Sequence, residues 1–258
     1  MRSAVAVLGL LLAMAACKRR EPRLPATPFP KAKLAYRLGN CVYMDLTHSG
    51  EPDKGRCFGM PGEPMLGHDF DGNGTADLAV RREGQLFIDT ANDGQGHEAV
   101  LDLGDVVAAT QFVAADFSGT AAHPGPAGVA VLRGDRLRVQ GPAGVLGERA
   151  FGDGTGEYFA GRWRKDAPAR FGVRHGVCVD LDVDGDDRPE MRHCYGDVGS
   201  IDQVLVGDWN GDGRDDLLLR RAACVFVDTK LDGTLAERQC FGEGKPATDY
   251  FAGSWDGK

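Results

Sequence analysis

Two short stretches place oxygen-bearing residues at the spacing that a hard cation requires. In residues 69–77, Asp69, Asp71, Asn73 and Asp77 stand at alternate loop positions, and the carbonyl of Thr75 falls in step with them. A second copy supplies Asp208, Asn210, Asp212 and Asp216, with the carbonyl of Arg214 in the matching place. Calcium takes about six to eight hard oxygen ligands, and a tight Gly-containing loop turns alternate side chains inward. The Glu that closes an EF-hand is missing, since Val80 and Leu219 stand there inside apolar runs. These ten residues are therefore the expected calcium ligands. A third acidic run, Asp182, Asp184, Asp186 and Glu190, has similar spacing, but Asp187 replaces the turn glycine and the run falls elsewhere in the repeat described below. A metal site and a solvated acidic turn both stand for it.

No other chemistry has a sharp signature. No Gly-x-Ser-x-Gly, Walker loop, Cys-His constellation or His-Glu-x-x-His occurs. The histidines are scattered, and His68 takes the place that Gly207 holds in the later acidic loop. The expectation is a non-catalytic protein.

The elements that position the loops recur. Large aromatic residues stand at Phe70, Phe117, Trp163, Trp209 and Trp255, spaced by about 46 residues, each closing an apolar run. A second run ends in arginine: Leu34–Arg37, Leu78–Arg81, Val129–Arg133, Phe171–Arg174 and Leu217–Arg220. A third run follows, and a fourth ends in a large residue plus glycine, as in Phe58-Gly59 and Phe241-Gly242. Short apolar runs bounded by Gly, Asp and Asn are strand signals. Glycine, at 37 of 258 residues, is about twice its usual share, which suits many tight turns.

Four strands per unit at this period predict an all-β, five-bladed β-propeller over residues 34–258. The chain enters in a second strand and stops after a first strand, so pairing the two ends completes the fifth blade. Closure also removes exposed sheet edges. The five recurrent arginines are expected to pair with acidic residues between blades.

Six cysteines occupy one place in the repeat: Cys41 and Cys57, Cys178 and Cys194, Cys224 and Cys240, each pair 16 residues apart on the third and fourth strands. Units lacking one cysteine lack both, with Gln85 and Asp102 or Arg136 and Ala150 instead. Facing positions of a hairpin lie within disulfide reach. Zinc is the rival reading, but no Cys-x-x-Cys is present.

The stretches 67–81 and 206–220 resemble the FG-GAP/VCBS repeats of integrin-like β-propellers. The resemblance covers residues 34–258, with the full loop in two units. It implies calcium loops between first and second strands; the count of five blades comes from the periodicity of this chain.

The amino terminus reads differently. Arg2 precedes an apolar run, Ala4–Ala16, too short to span a bilayer. Met14-Ala15-Ala16-Cys17 resembles a bacterial lipobox, which implies a lipoprotein signal over 1–16 and lipidation of Cys17. Residues 17–33 carry four prolines and six basic residues and read as a solvated tether. The remainder holds 23 basic and 37 acidic residues, net charge −14, which argues against a nucleic-acid partner. The expected protein is a monomeric, calcium-stabilised binding or scaffold module, lipid-anchored at the periplasmic or cell-surface side of the envelope, with a protein partner. A lectin-like carbohydrate-binding propeller is the alternative, and a polysaccharide-acting enzyme is a third reading.

Overall fold

The computed structural model describes residues 31–242 and 247–257. The signal segment 1–16, Cys17 and the tether as far as residue 30 lie outside the described residues. Among the described residues, twenty strands form five four-stranded antiparallel sheets. The first blade holds β1 (Lys33–Leu38), β2 (Cys41–Asp45) and β3 (Lys54–Cys57). The second holds β4 (Met65–His68), β5 (Asp77–Arg82), β6 (Gln85–Asp89) and β7 (Ala99–Asp102). The third holds β8 (Gln111–Ala115), β9 (Gly128–Arg133), β10 (Arg136–Gly141) and β11 (Gly144–Arg149). The fourth holds β12 (Glu157–Gly161), β13 (Arg170–His175), β14 (Cys178–Leu181) and β15 (Met191–Cys194). The fifth holds β16 (Gln203–Gly207), β17 (Asp216–Arg221), β18 (Cys224–Asp228) and β19 (Glu237–Cys240). The last strand, β20 (Tyr250–Gly253), joins the first blade beside β1, with Lys33 facing Gly253 and Tyr36 facing Tyr250. The innermost strands β4, β8, β12, β16 and β20 follow one another around a common axis. This is the five-bladed propeller, closed by its two ends.

The aromatic residues of the repeat lie just past the inner strands, where they fill the seams between blades. Phe70, Trp163, Trp209 and Trp255 are buried, and Phe117 is partly so. Trp255 belongs to one buried cluster with Ala35, Val42 and Met44 of one blade and Leu78 and Val80 of the next, and its Nε1–H donates to the Lys33 carbonyl at 3.1 Å. The large residues Phe58, Leu103, Phe151, Tyr195 and Phe241 also sit in these seams, beyond the ends of the fourth strands rather than in them. In four units the glycine that follows has φ near +70°. That left-handed turn, which a side chain disfavours, sends the chain back toward the axis.

Backbone hydrogen bonds lock blade to blade at one recurring position. Ala32 N–H donates to Asp208 O, Ala76 to Ser254, Ala127 to Asp69, Ala169 to Asp116 and Asp215 to Arg162, all at 2.6–2.8 Å. Each blade thus donates to its neighbour, around the full circle. At the other end of the inner strands, Gln111, Glu157 and Gln203 accept from the N–H of Tyr158, Val204 and Tyr250 in the following blade.

The disulfides are Cys41–Cys57, Cys178–Cys194 and Cys224–Cys240, each joining directly facing residues of third and fourth strands. Gln85 faces Asp102 in the same register.

The arginines depart from expectation. Arg37, Arg81, Arg174 and Arg220 each donate to the carbonyl two residues on, clasping the two-residue turn between second and third strands. Their acidic partners, where present, lie within the blade: Asp249 for Arg37 and Glu157 for Arg174. Across the seams, Arg81 and Arg220 instead stack on the rings of Phe112 and Tyr250. Arg133 is not equivalent to the others. The turn after it starts at Gly134, so Leu132 holds the repeat position and Arg133 pairs with Asp105.

Candidate functional site

Because strands alternate in direction, the first-to-second and third-to-fourth connections of every blade emerge at one end of the ring. Both kinds of acidic loop are therefore on the same face. In the loop from β4 to β5, Asp69 Oδ1 accepts from the N–H of Gly72 and Asn73, and Oδ2 from Gly74. Asp71 accepts from Asn73, and the Asn73 side-chain oxygen from the N–H of Thr75. Asp77 is fully buried; its oxygens accept from the N–H of Phe70 and the amide of Asn92. One oxygen each from Asp69, Asp71 and Asp77 lie within 4.8 Å of one another.

The loop from β16 to β17 repeats the turn but not the cluster. Asp208 caps Gly211, Asp212 and Gly213, and Asp216 accepts from the N–H of Trp209 and Asn210. The Arg214 guanidinium lies 3.2 Å from Asp212, so this residue brings a positive charge to the loop as well as a carbonyl. The remaining oxygen of Asp216, a residue 1% exposed, is sealed from solvent and has no hydrogen-bond partner. Removal from water pushes the carboxyls of Asp77 and Asp216 up to about 7.

The third run does gather: Asp182, Asp184, Asp186 and Glu190 bring oxygens within 4.8 Å of one another. The strand register shows what kind of turn it is. Asp182 stands four residues after Cys178, as Asp45 does after Cys41 and Asp228 after Cys224. Each of these aspartates caps backbone N–H groups of its own third-to-fourth-strand hairpin. Asp89 holds the same place in the second blade, and with Asp93 and Glu98 it forms another cluster that sequence reasoning missed. The readable signal was the position four residues beyond the cysteine site, occupied there by Gln85. Arg56 of the neighbouring blade supplies positive charge to Asp89 and Asp77.

Inside the ring, the inner strands enclose a cavity of about 690 Å³. Its wall includes Phe112, Ala114, Ala160, Val206 and Ala252. At the end beneath the acidic loops it is lined by His68, Asp116, Arg162 and Asp215. Arg162 stands where Asp69 and Asp208 stand in other units; instead of leaving that loop for solvent, it reaches Asp116 at 3.3 Å. Asp116 is otherwise held by the N–H groups of Ser118, Gly119 and Gly125. The Asp215 carboxylate accepts from the Arg162 N–H at 2.6 Å. His68 Nδ1 accepts from the N–H of Asp69 at 2.9 Å, which leaves the ring proton on Nε2. Burial pushes the His68 imidazole down and the Asp215 carboxyl up. No helix among the described residues is long and apolar enough to cross a membrane.

No protein-family model and no curated protein matches the sequence. Solved structures match its course at low identity. BBS1N, solved in complex with ARL6DN, is 12% identical with a TM-score of 0.40; the match covers 82% of this chain and 62% of that one. An Agrocybe aegerita lectin that recognises non-reducing terminal N-acetylglucosamine is 15% identical with a TM-score of 0.44, covering 71% of this chain and 53% of the lectin. This chain thus spans less than two thirds of either. The Myceliophteria thermophila Cps50 (Swd1) β-propeller domain is 10% identical with a TM-score of 0.42, covering 83% of this chain and 87% of the domain.

Proposed function

We propose that this propeller is a non-catalytic binding or scaffold module of the cell envelope, anchored by lipid on Cys17, stabilised by calcium and engaging a protein partner through its acidic end. The FG-GAP/VCBS-like loops 69–77 and 208–216 would hold the cation, through Asp69, Asp71, Asn73, Asp77 and the Thr75 carbonyl, and through Asp208, Asn210, Asp212, Asp216 and the Arg214 carbonyl. The observation that carries the calcium reading is the sealed, unpartnered oxygen of Asp216. A buried carboxylate oxygen without a donor is costly, and a hard cation is the ligand that such an oxygen suits. The binding reading rests on shape and charge: a rigid, disulfide-stapled ring that gathers its acidic loops at one end suits a basic protein surface.

Calorimetric titration of the purified propeller with calcium tests the first part. Binding should be accompanied by a higher melting temperature, reversed by chelator, and Asp216→Asn should remove much of that response. A chelator-insensitive melting curve would reduce the loops to acidic turns. For the anchor, Cys17→Ala should move the protein from the membrane fraction to the soluble one. A variant still bound to membranes after a high-salt wash would rule that anchor out. For the partner, captured envelope proteins should be released by raised salt, since a charge-driven contact is screened.

A further inference from the structure

Four carboxylates line the end of the axial cavity beneath the acidic loops, those of Asp69, Asp116, Asp208 and Asp215, against the single guanidinium of Arg162. Three of the four are answered locally. Asp69 and Asp208 each take three backbone N–H groups of their own turns. Asp116 takes three more, and the Arg162 side chain at 3.3 Å. Asp215 is the exception. One of its oxygens accepts the Arg162 N–H, and the other has no donor among the described residues. Unlike the orphan oxygen of Asp216, this one is not sealed off, because Asp215 lines the cavity wall. The residue lies deep inside the ring, where bulk water does little to screen its charge.

The fold does not account for this aspartate. Asp215 stands where the other units have Ala32, Ala76, Ala127 and Ala169, whose N–H groups make the same bond to the adjacent blade. A methyl group serves the scaffold in four blades, so the carboxylate of the fifth is free for a ligand. The far end of the cavity is settled by contrast: Glu157 pairs with Arg174 and Asp249 with Arg37, while Arg81 stacks on Phe112. Between the two ends the wall is apolar at Ala114, Val206 and Ala252. A cavity of about 690 Å³ is within the range of small-molecule sites.

We infer that the axial cavity binds a small organic monocation, its ammonium group received by the open oxygen of Asp215 and its apolar body lying along the inner strands. The excess of carboxylates beneath the loops sets the sign of the ligand's charge. An ammonium N–H satisfies a carboxylate oxygen that no protein group reaches, and the apolar wall suits a carbon chain rather than a hydrated metal ion. Asp215 is not among the loop ligands, so this inference and the calcium reading stand or fall separately.

The test is calorimetric titration of the intact propeller, in the presence of chelator, with hexylammonium and with hexanol and hexanoate as matched probes. Hexylammonium should bind at one site per chain, at least tenfold tighter than either comparison. Asp215→Ala, which copies the other four units, should weaken it at least tenfold at an unchanged melting temperature. Asp215→Asn keeps the shape and removes the charge, and should do the same, so it decides should the alanine variant misfold. Arg162→Ser, which copies the last unit, takes away the one guanidinium at that end and should tighten binding. Asp93→Ala removes a carboxylate from the same face but outside the cavity, and should leave binding within twofold. Equal or tighter binding of hexanoate or hexanol, full binding by both Asp215 variants, an equal loss in Asp93→Ala, weaker binding by Arg162→Ser, or no binding of any probe would each overturn the inference, the last leaving a water-filled axle.

Discussion

Truncating Trp255 tests whether the ring is held shut where its two ends meet. Its side chain is 1% exposed and fills the seam between the blade it completes and the next, touching residues of both. Removing a buried tryptophan side chain costs about 3–5 kcal/mol. For a domain of this size each kcal/mol moves the melting temperature by roughly 2–4 °C, so Trp255→Ala should lower it by roughly 6–20 °C. Trp163→Ala is the control, because Trp163 holds the same repeat position, is 3% exposed, and belongs to a blade whose four strands are continuous in the chain. The two variants should lose similar stability by calorimetry. They should differ in hydrogen exchange: Trp255→Ala alone should selectively expose the amides of β20 and its partner β1, since nothing covalent holds that pair together. If Trp255→Ala costs less than about 1 kcal/mol, or β20 stays as protected as β16, the reasoning about closure fails.

Three further outcomes follow from single features. Ala222 opens its turn at φ 56°, where the equivalent positions of three other units carry Gly39, Gly134 and Gly176; Ala222→Gly should raise stability by about 0.5–1 kcal/mol in a denaturant titration. Replacing Cys178 and Cys194 together by serine should cost about 3 kcal/mol on the chain-entropy account of a loop this short, and non-reducing peptide mapping of the parent should find only linkages within blades. In calcium-free buffer, stability should fall as pH rises from about 4 toward 7. The carboxyls of Asp77 and Asp216 sit near 7 in the folded protein and at about 3.9 when unfolded, so over that window the folded state binds more protons and deprotonation works against it. Thermal melts across the window would contradict this if stability rose instead.

The architecture was legible because one period runs through every element. The cysteines fixed the pairing of third and fourth strands, since residues that face each other across a hairpin vary together from unit to unit, as Gln85 and Asp102 do. Arg133 misled because it stands one position later on a strand of the same length, and the turn glycine, not the arginine, sets the register. The acidic loops were visible from spacing alone, yet spacing did not distinguish a carboxylate that caps its own turn from one left open. Asp69 and Asp208 cap; one oxygen of Asp216 does not. The cavity residues were hidden for a different reason. His68, Arg162 and Asp215 belong to three blades, and only closure of the ring brings them together. What was readable was their deviance: a charged residue where four units keep alanine, and an imidazole among alanine and glycines.

The circle of backbone bonds from Ala32, Ala76, Ala127, Ala169 and Asp215 has a topological consequence. Every blade gives one such bond and takes one, so these bonds single out no first blade. A circular permutant that opens the connection between Gly104 and Thr110 and links Gly257 to Lys31 through a short spacer would keep all five bonds. It would also make every blade continuous in the chain and leave the two chain ends between two blades that lack a disulfide, turning the present weak point into an ordinary loop. The assembly could then be studied as a wheel whose axle, and whatever lies in it, is independent of where the rim is cut.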